Sequence, residues 1–200
     1  MKVISWDIGI KNLAFCVMSG DYKIHEWDIL TLQHDCKKIN VDLLTQKLLQ
    51  ILDDRFLDRS DFTHVLIENQ PSMKNPVMKS IQNIIYTFFH YIKLKNNFGY
   101  AVKLVSATSK LKVQTQVQFP DTILKIKNKY SQKKKRAVFL CEYLLSNIIA
   151  NTGDFKSYFS GSKKKDDLAD CLLYNVWFIQ QNYTPPPNID IIDLTNDTEF

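Results

Sequence analysis

The run from Ile4 to Phe15, Ile-Ser-Trp-Asp-Ile-Gly-Ile-Lys-Asn-Leu-Ala-Phe, constrains what this chain can fold into more than any other stretch. Apolar residues from Val3 onward read as a buried strand. Asp7 stands at its end, where an ionised carboxylate is costly unless a cation or charged partner meets it. Gly9 permits a tight turn with the backbone held close to a ligand, and Lys11 and Asn12 follow with a positive charge and an amide. A second apolar run, residues 13 to 18, leads back, so the segment reads as a β-hairpin with an acid at its first corner. By itself this pattern is equally that of an edge-strand Asp capping a turn. The arrangement recurs, however, at His64-Val65-Leu66-Ile67-Glu68, a short apolar strand that again delivers a carboxylate at its end.

The intervening segments complete an α/β pattern. Residues 22 to 32 alternate as a third strand after a turn at Gly20 and Asp21, so three antiparallel strands open the chain. In residues 41 to 56, Leu43, Leu44, Leu48, Ile51 and Leu52 recur at helical spacing. Pro71 and Pro76 break the chain before a second helix over residues 77 to 94. Its apolar residues, Val77, Ile81, Ile84 and Phe88 widened by Met78, Ile85, Phe89 and Ile92, are too many for one stripe. A second buried face follows, within a thick domain or against another copy of the chain. Residues 100 to 105 form a fifth strand, and residues 106 to 130 a basic connection without a clear period. Residues 131 to 149 form a third helix, and a last helix begins near Lys163 with Ala169, Leu172, Leu173, Val176 and Trp177 inward.

Length and composition fit one domain: 200 residues at 45% hydrophobic content supply a core without staples. There is no basic-then-apolar leader and no run of about eighteen apolar residues, which predicts a soluble, intracellular protein with no membrane partner. Cys16, Cys36, Cys141 and Cys171 are scattered without a C-x-x-C pair, against a zinc site or a disulfide framework. From Thr184 the composition shifts to Pro185-Pro186-Pro187 and an acidic end, dividing the chain into a domain of residues 1 to 183 and a disordered tail of residues 184 to 200. Without the tail's Asp190, Asp193, Asp197 and Glu199 the formal net charge rises from +5 to +9. Residues 103 to 136 hold ten Lys or Arg against Asp121 alone, which marks a polyanion-binding region. Within the tail, Ile189-Asp190-Ile191-Ile192-Asp193-Leu194-Thr195 alternates in β fashion and resembles a SUMO-interacting motif, a peptide that adds a strand to its partner's sheet.

Asp166-Asp167-Leu168-Ala169-Asp170 carries the chemistry. Asp167 and Asp170 lie three apart on a helix and share one side, with Asp166 four before Asp170 as a cap or an outer partner. Together with Asp7 and Glu68 they make a carboxylate cluster whose charge is best balanced by hard divalent cations; an oxygen-only set suits Mg²⁺, with Mn²⁺ as substitute. The use of such a site is two-metal phosphoryl transfer, in which two ions about 4 Å apart activate a water and stabilise the leaving oxygen. The basic surface would bring the phosphodiester.

Four motifs in this order resemble the poxvirus-type Holliday junction resolvases, relatives of bacterial RuvC and the yeast mitochondrial resolvases in the RNase H-like superfamily. They are Asp7-Ile8-Gly9-Ile10-Lys11-Asn12, Ile67-Glu68-Asn69-Gln70-Pro71, residues 130 to 136 and residues 165 to 170. The resemblance spans residues 2 to 182. It implies an α/β fold with a mixed five-stranded sheet in order 3-2-1-4-5, the first three strands antiparallel, flanked by helices. It further implies a homodimer making paired symmetric nicks across four-way DNA junctions, in recombination, repair or resolution of viral DNA concatemers in a host cytoplasm. Asp7, Glu68, Asp167 and Asp170 match the metal-ligand positions, with two ions per site. Lys135 matches the catalytic lysine best, three residues before Val138, and Lys134 is the adjacent alternative. Lys11, Asn12, Gln70, Lys74, Lys133, Lys134, Arg136, Lys163, Lys164 and Lys165 are expected to touch nucleic acid. The same acids would serve an RNase H-like nuclease acting on other branched DNA or RNA–DNA hybrids. A binding module without catalysis is the rival from another class, against which the complete acid set argues.

Overall fold

The computed structural model describes residues 1–32, 39–73, 75–150 and 152–183. Cys36, Lys74 and the whole tail with its SUMO-like motif lie outside the described residues. Five strands, β1 (Lys2–Asp7), β2 (Leu13–Ser19), β3 (Ile24–Leu30), β4 (His64–Glu68) and β5 (Ala101–Val105), form one sheet in order β3-β2-β1-β4-β5. β1 and β2, and β2 and β3, pair antiparallel, while β4 runs parallel to both β1 and β5. At the first corner a Cβ on Gly9 would stand 2.1 Å from the Asn12 carbonyl oxygen, so the turn between β1 and β2 closes only around glycine.

Strand alternation sorts the side chains into two layers. Ile4, Trp6, Phe15, Val17, Val65 and Ile67 face helices α1 (Val41–Phe56) and α2 (Pro76–Asn96) in one core, where Trp6, Phe15, Phe56 and Phe89 pack ring on ring. Ala14, Cys16 and Met18 face the other side, against α4 (Lys129–Asn147), α5 (Gly153–Gly161) and α6 (Lys165–Asn182). Asn40 starts α1 by accepting from the Asp42 and Leu43 amides, and Asn75 starts α2 by accepting from Met78, with Pro76 in the first turn where no donor is lost. The residues between β5 and α4 contain a short 3₁₀ turn, Ser109–Lys112, and the one-turn helix α3 (Asp121–Leu124). Helix α5 was not expected from the sequence; Phe159 buries against Trp27 with rings stacked at 5.2 Å, and this tertiary contact rather than periodicity holds it. Cys16, Cys141 and Cys171 are buried free thiols.

Candidate active site

The period of two that builds the sheet also places the acids. Val3, Ser5 and Asp7 occupy the α6 side of β1, and Leu66 and Glu68 the same side of β4. Because Trp6 pairs with Ile67, the next step of the register sets Asp7 beside Glu68 at the ends of parallel strands. Helix α6 is fixed over them by bonds to the sheet. The Ser5 hydroxyl donates to the Cys171 carbonyl at 2.6 Å, Asn175 Nδ2 to the Cys16 carbonyl at 2.8 Å, and Trp27 Nε1 to the Leu168 carbonyl at 3.0 Å. That register brings Asp170 down onto Asp7 and Glu68, while Asp167, one turn earlier, lines the same cleft as Asn12, whose amide favours its charged form.

At the centre stands a residue that the sequence did not single out. Lys110, on the turn after β5, puts Nζ 2.5 Å from Asp170, 3.4 Å from Asp7 and 3.9 Å from Glu68. It also lies 5.1 Å from the centre of the Tyr174 ring. The signal for it was topological: β5 ends at the same sheet edge as β1 and β4, so the first cation after it arrives beside their acids. One ammonium does not offset this much buried charge. Burial pushes the Asp7 carboxyl well above its ordinary value; Lys110 pulls it down, but Glu68 and Asp170 push it further up. Burial likewise raises Asp170 against the pull of Lys110. Burial, with Asp166 adjacent, raises Asp167. Burial alone would lower the Lys110 ammonium, yet Asp7 and Asp170 outweigh it and raise it.

The cleft over these acids has a volume of about 490 Å³. Lys11, Asn12, Gln70, Lys133, Lys134 and Lys164 line it, so six of the residues expected to touch nucleic acid share its wall. Lys135 does not: it is exposed and outside the lining, because Tyr130, Lys133, Lys134 and Ala137 form the stripe of α4 that meets the cleft, at helical spacings of three and four, and Lys135 falls off that stripe. Lys134 lies over the Tyr130 ring at 5.0 Å and pairs with Asp166. Burial would raise Asp166, but the bond from Lys134 lowers it overall. Asp166 therefore acts as the lysine's partner and not as a helix cap; the α6 N-cap position is Lys164, without a capping bond. Arg136 stacks over Phe119 at 5.3 Å, Lys165 pairs with Glu142 at 3.5 Å, and Lys163 is exposed; all three stand outside the cleft lining.

The donor set fits a hard divalent cation: it is all carboxylate oxygen, and a positive charge already stands at its centre. Among the described residues no three His, Cys, Asp or Glu close to ligating distance around one point; Asp7, Glu68 and Asp170 gather around the ammonium instead.

This sheet, with an acid at each of two adjacent parallel strand ends and a helix laid across them, is the RuvC-like form of the RNase H fold. Particular solved structures share it. The yeast mitochondrial Holliday junction resolvase Ydc2 superposes with a TM-score of 0.56 at 20% identity, covering 89% of this chain and 78% of that one. The fowlpox virus resolvase in complex with Holliday junction DNA gives 0.57 at 20% identity, over 92% and 100%. The Thermus thermophilus RuvC structure gives 0.53 at 10% identity, over 90% and 96%. In sequence, an uncharacterized protein of Acanthamoeba polyphaga mimivirus is 33% identical over 128 residues, 58% of this chain. The match spans only 28% of that relative's length. No family model matches the chain. Among the described residues no helix is long and apolar enough to cross a membrane.

Proposed function

We propose that this chain is a Holliday junction resolvase, a Mg²⁺-dependent endonuclease that makes paired symmetric nicks across four-way DNA junctions. The observation that carries the reading is the convergence of Asp7, Glu68, Asp167 and Asp170 on one cleft walled by lysines, on a sheet shared with solved resolvases. Asp7, Glu68, Asp167 and Asp170 would hold two divalent ions, which when bound supply Lewis acidity and a water nucleophile at neutral pH. The chain's own residues do the rest. The Asn12 amide favours the charged form of Asp167, and Asp166 holds Lys134 at the cleft wall, where its ammonium faces the charge that builds on the scissile phosphate. Lys11, Lys133 and Lys164 neutralise flanking phosphates and set the strand's path without reading bases.

Paired nicks need two active sites related by a two-fold axis. The face for a second copy lies between α1 and α2, where Leu49, Leu57, Ile84, Phe88 and Tyr91 line a groove of about 800 Å³, with Leu43 and Leu94 exposed on the same helices. The broad apolar surface of α2 is thus half core and half open. Processing of branched viral DNA in a host cytoplasm is the setting this reading implies, and the mimivirus relative supports a viral one.

The test is incubation of the protein and Mg²⁺ with an immobile four-way junction and a matched duplex, each strand labelled in turn. Paired, ligatable nicks at symmetry-related positions are expected. Equal cleavage of the duplex, or nicking of one strand alone, would replace the junction with flaps or RNA–DNA hybrids as substrate.

A further inference from the structure

We infer that the Lys110 ammonium and the divalent cation are alternative occupants of one cradle, so that metal enters as the lysine leaves. The inference rests on the reading of that cradle as a nuclease metal site. Nζ lies within 4 Å of Asp7, Glu68 and Asp170 together, the same three carboxylates a bound cation would share. The one point within reach of all three carboxylates has room for a single positive centre, and ammonium or metal ion there equally relieves the repulsion among the acids.

The route out is built into the fold. Lys110 lies over the ring of Tyr174, a fully buried side chain whose hydroxyl has no hydrogen-bond partner. The ring's negative face compensates part of the ammonium's charge from the buried side and leaves the cleft side open. The backbone need not follow. Ser109 and Val113 on either side are buried, and the Ser109 amide donates to Ser106, so only the flexible four-carbon stem has to swing. It swings toward the wall formed by Thr108, Lys133 and Lys134, where a DNA phosphate would lie. That phosphate is the second anion for the displaced ammonium, so DNA and metal load the site together, and metal binds weakly without DNA. The buried Lys110 is thereby both a placeholder in the free protein and a phosphate contact in the loaded one.

Mn²⁺ is the probe. In a calorimetric titration of the DNA-free 200-residue chain at pH 8, Lys110→Met is expected to bind Mn²⁺ on the order of tenfold more tightly than the parent. Equal or weaker binding overturns the exchange. A second measurement on the unaltered protein avoids dependence on how the variant folds: reductive methylation followed by peptide mass spectrometry. Lys110 should be protected in EDTA and react in saturating Mn²⁺; the same reactivity in both conditions overturns the proposal. Cleavage does not enter either readout. Exchange without junction nicking would remove the resolvase reading and keep the cradle's two occupants, and nicking without exchange would do the reverse.

Discussion

Two clusters of charge in this molecule have nearly the same ingredients and opposite physics. At one edge of the sheet Lys2, Arg55 and Arg59 meet Glu26, Asp28 and Asp61: Arg59 reaches Glu26 at 2.5 Å and Asp61 at 2.8 Å, Arg55 reaches Asp28 at 3.0 Å, and Lys2 reaches Asp61 at 2.8 Å. Three cations serve three acids, the side chains stay 26 to 42% exposed, and the guanidinium groups lie over Phe15 and Phe62. The bond from Arg59 outweighs burial and draws the Asp61 carboxyl down to about 2. In the cleft one lysine serves Asp7, Glu68 and Asp170, whose side chains are only 11 to 19% exposed, and Asp7 and Asp170 are pushed up. The first cluster is assembled so that folding favours its charges. The second keeps charges that folding opposes, which marks a site held for a ligand more than for stability.

Asp7→Asn separates the two most sharply. It should abolish junction cleavage while leaving junction binding, read by denaturing gels beside mobility shifts. The same change should raise the melting midpoint in EDTA. A carboxyl whose folded pKa is raised binds its proton more tightly in the native state, so stability falls as pH climbs from the ordinary 3.8 through the folded value. A neutral amide escapes that loss, and a lower midpoint for the variant would break the comparison. Next in size, Lys134→Ala should cut single-turnover cleavage on the order of 10²-fold, the scale of one preorganised donor, with Lys135→Ala near the parent rate. The reverse order would return the role to Lys135.

Arg59→Ala tests the other cluster. It should cost about 1 kcal/mol in urea unfolding at pH 7, since these pairs are partly screened by water, and leave cleavage unchanged. Its pH signature has the opposite sign to that of Asp7. A depressed carboxyl stabilises the fold above 3.8 and loses that stabilisation as pH falls toward about 2, so the variant's acid limb should be flatter than the parent's. An unchanged acid limb would mean that Asp61 draws its stabilisation from Lys2 alone.

The sequence was legible where one short-range rule decides the outcome. The apolar runs of β1 and β4 gave both strands and set Asp7 and Glu68 at their ends, and the three-residue spacing on α6 gave Asp167 and Asp170. The apolar period of α1 fixed its span at Val41–Phe56. Lys110 was hidden because it sits in a four-residue turn inside a lysine-rich connection, where neither period nor spacing separates one cation from the next. The choice between Lys134 and Lys135 needed the rotation of α4 against α6, which Ala137, Leu140, Cys141 and Leu144 set by burial. A basic run of four offers no such phase by itself.

The smallest expected effect concerns the rim. Lys164 lines the cleft and is exposed at the start of α6, and no carboxylate is within ion-pair distance of it among the described residues. A lysine of this kind contributes by releasing counterions from one phosphate, independently of sequence. Lys164→Ala should therefore weaken junction binding modestly and reduce the slope of log affinity against log salt by about one, with the cleavage rate at saturating DNA unchanged. Lys163, exposed but outside the lining, should leave the slope as it is when replaced in the same way. Equal slopes for the two variants would mean that the DNA path crosses the whole start of α6 and is not confined to the cleft, and the contrast between the acid cleft and the rest of the charged surface would have to be redrawn there.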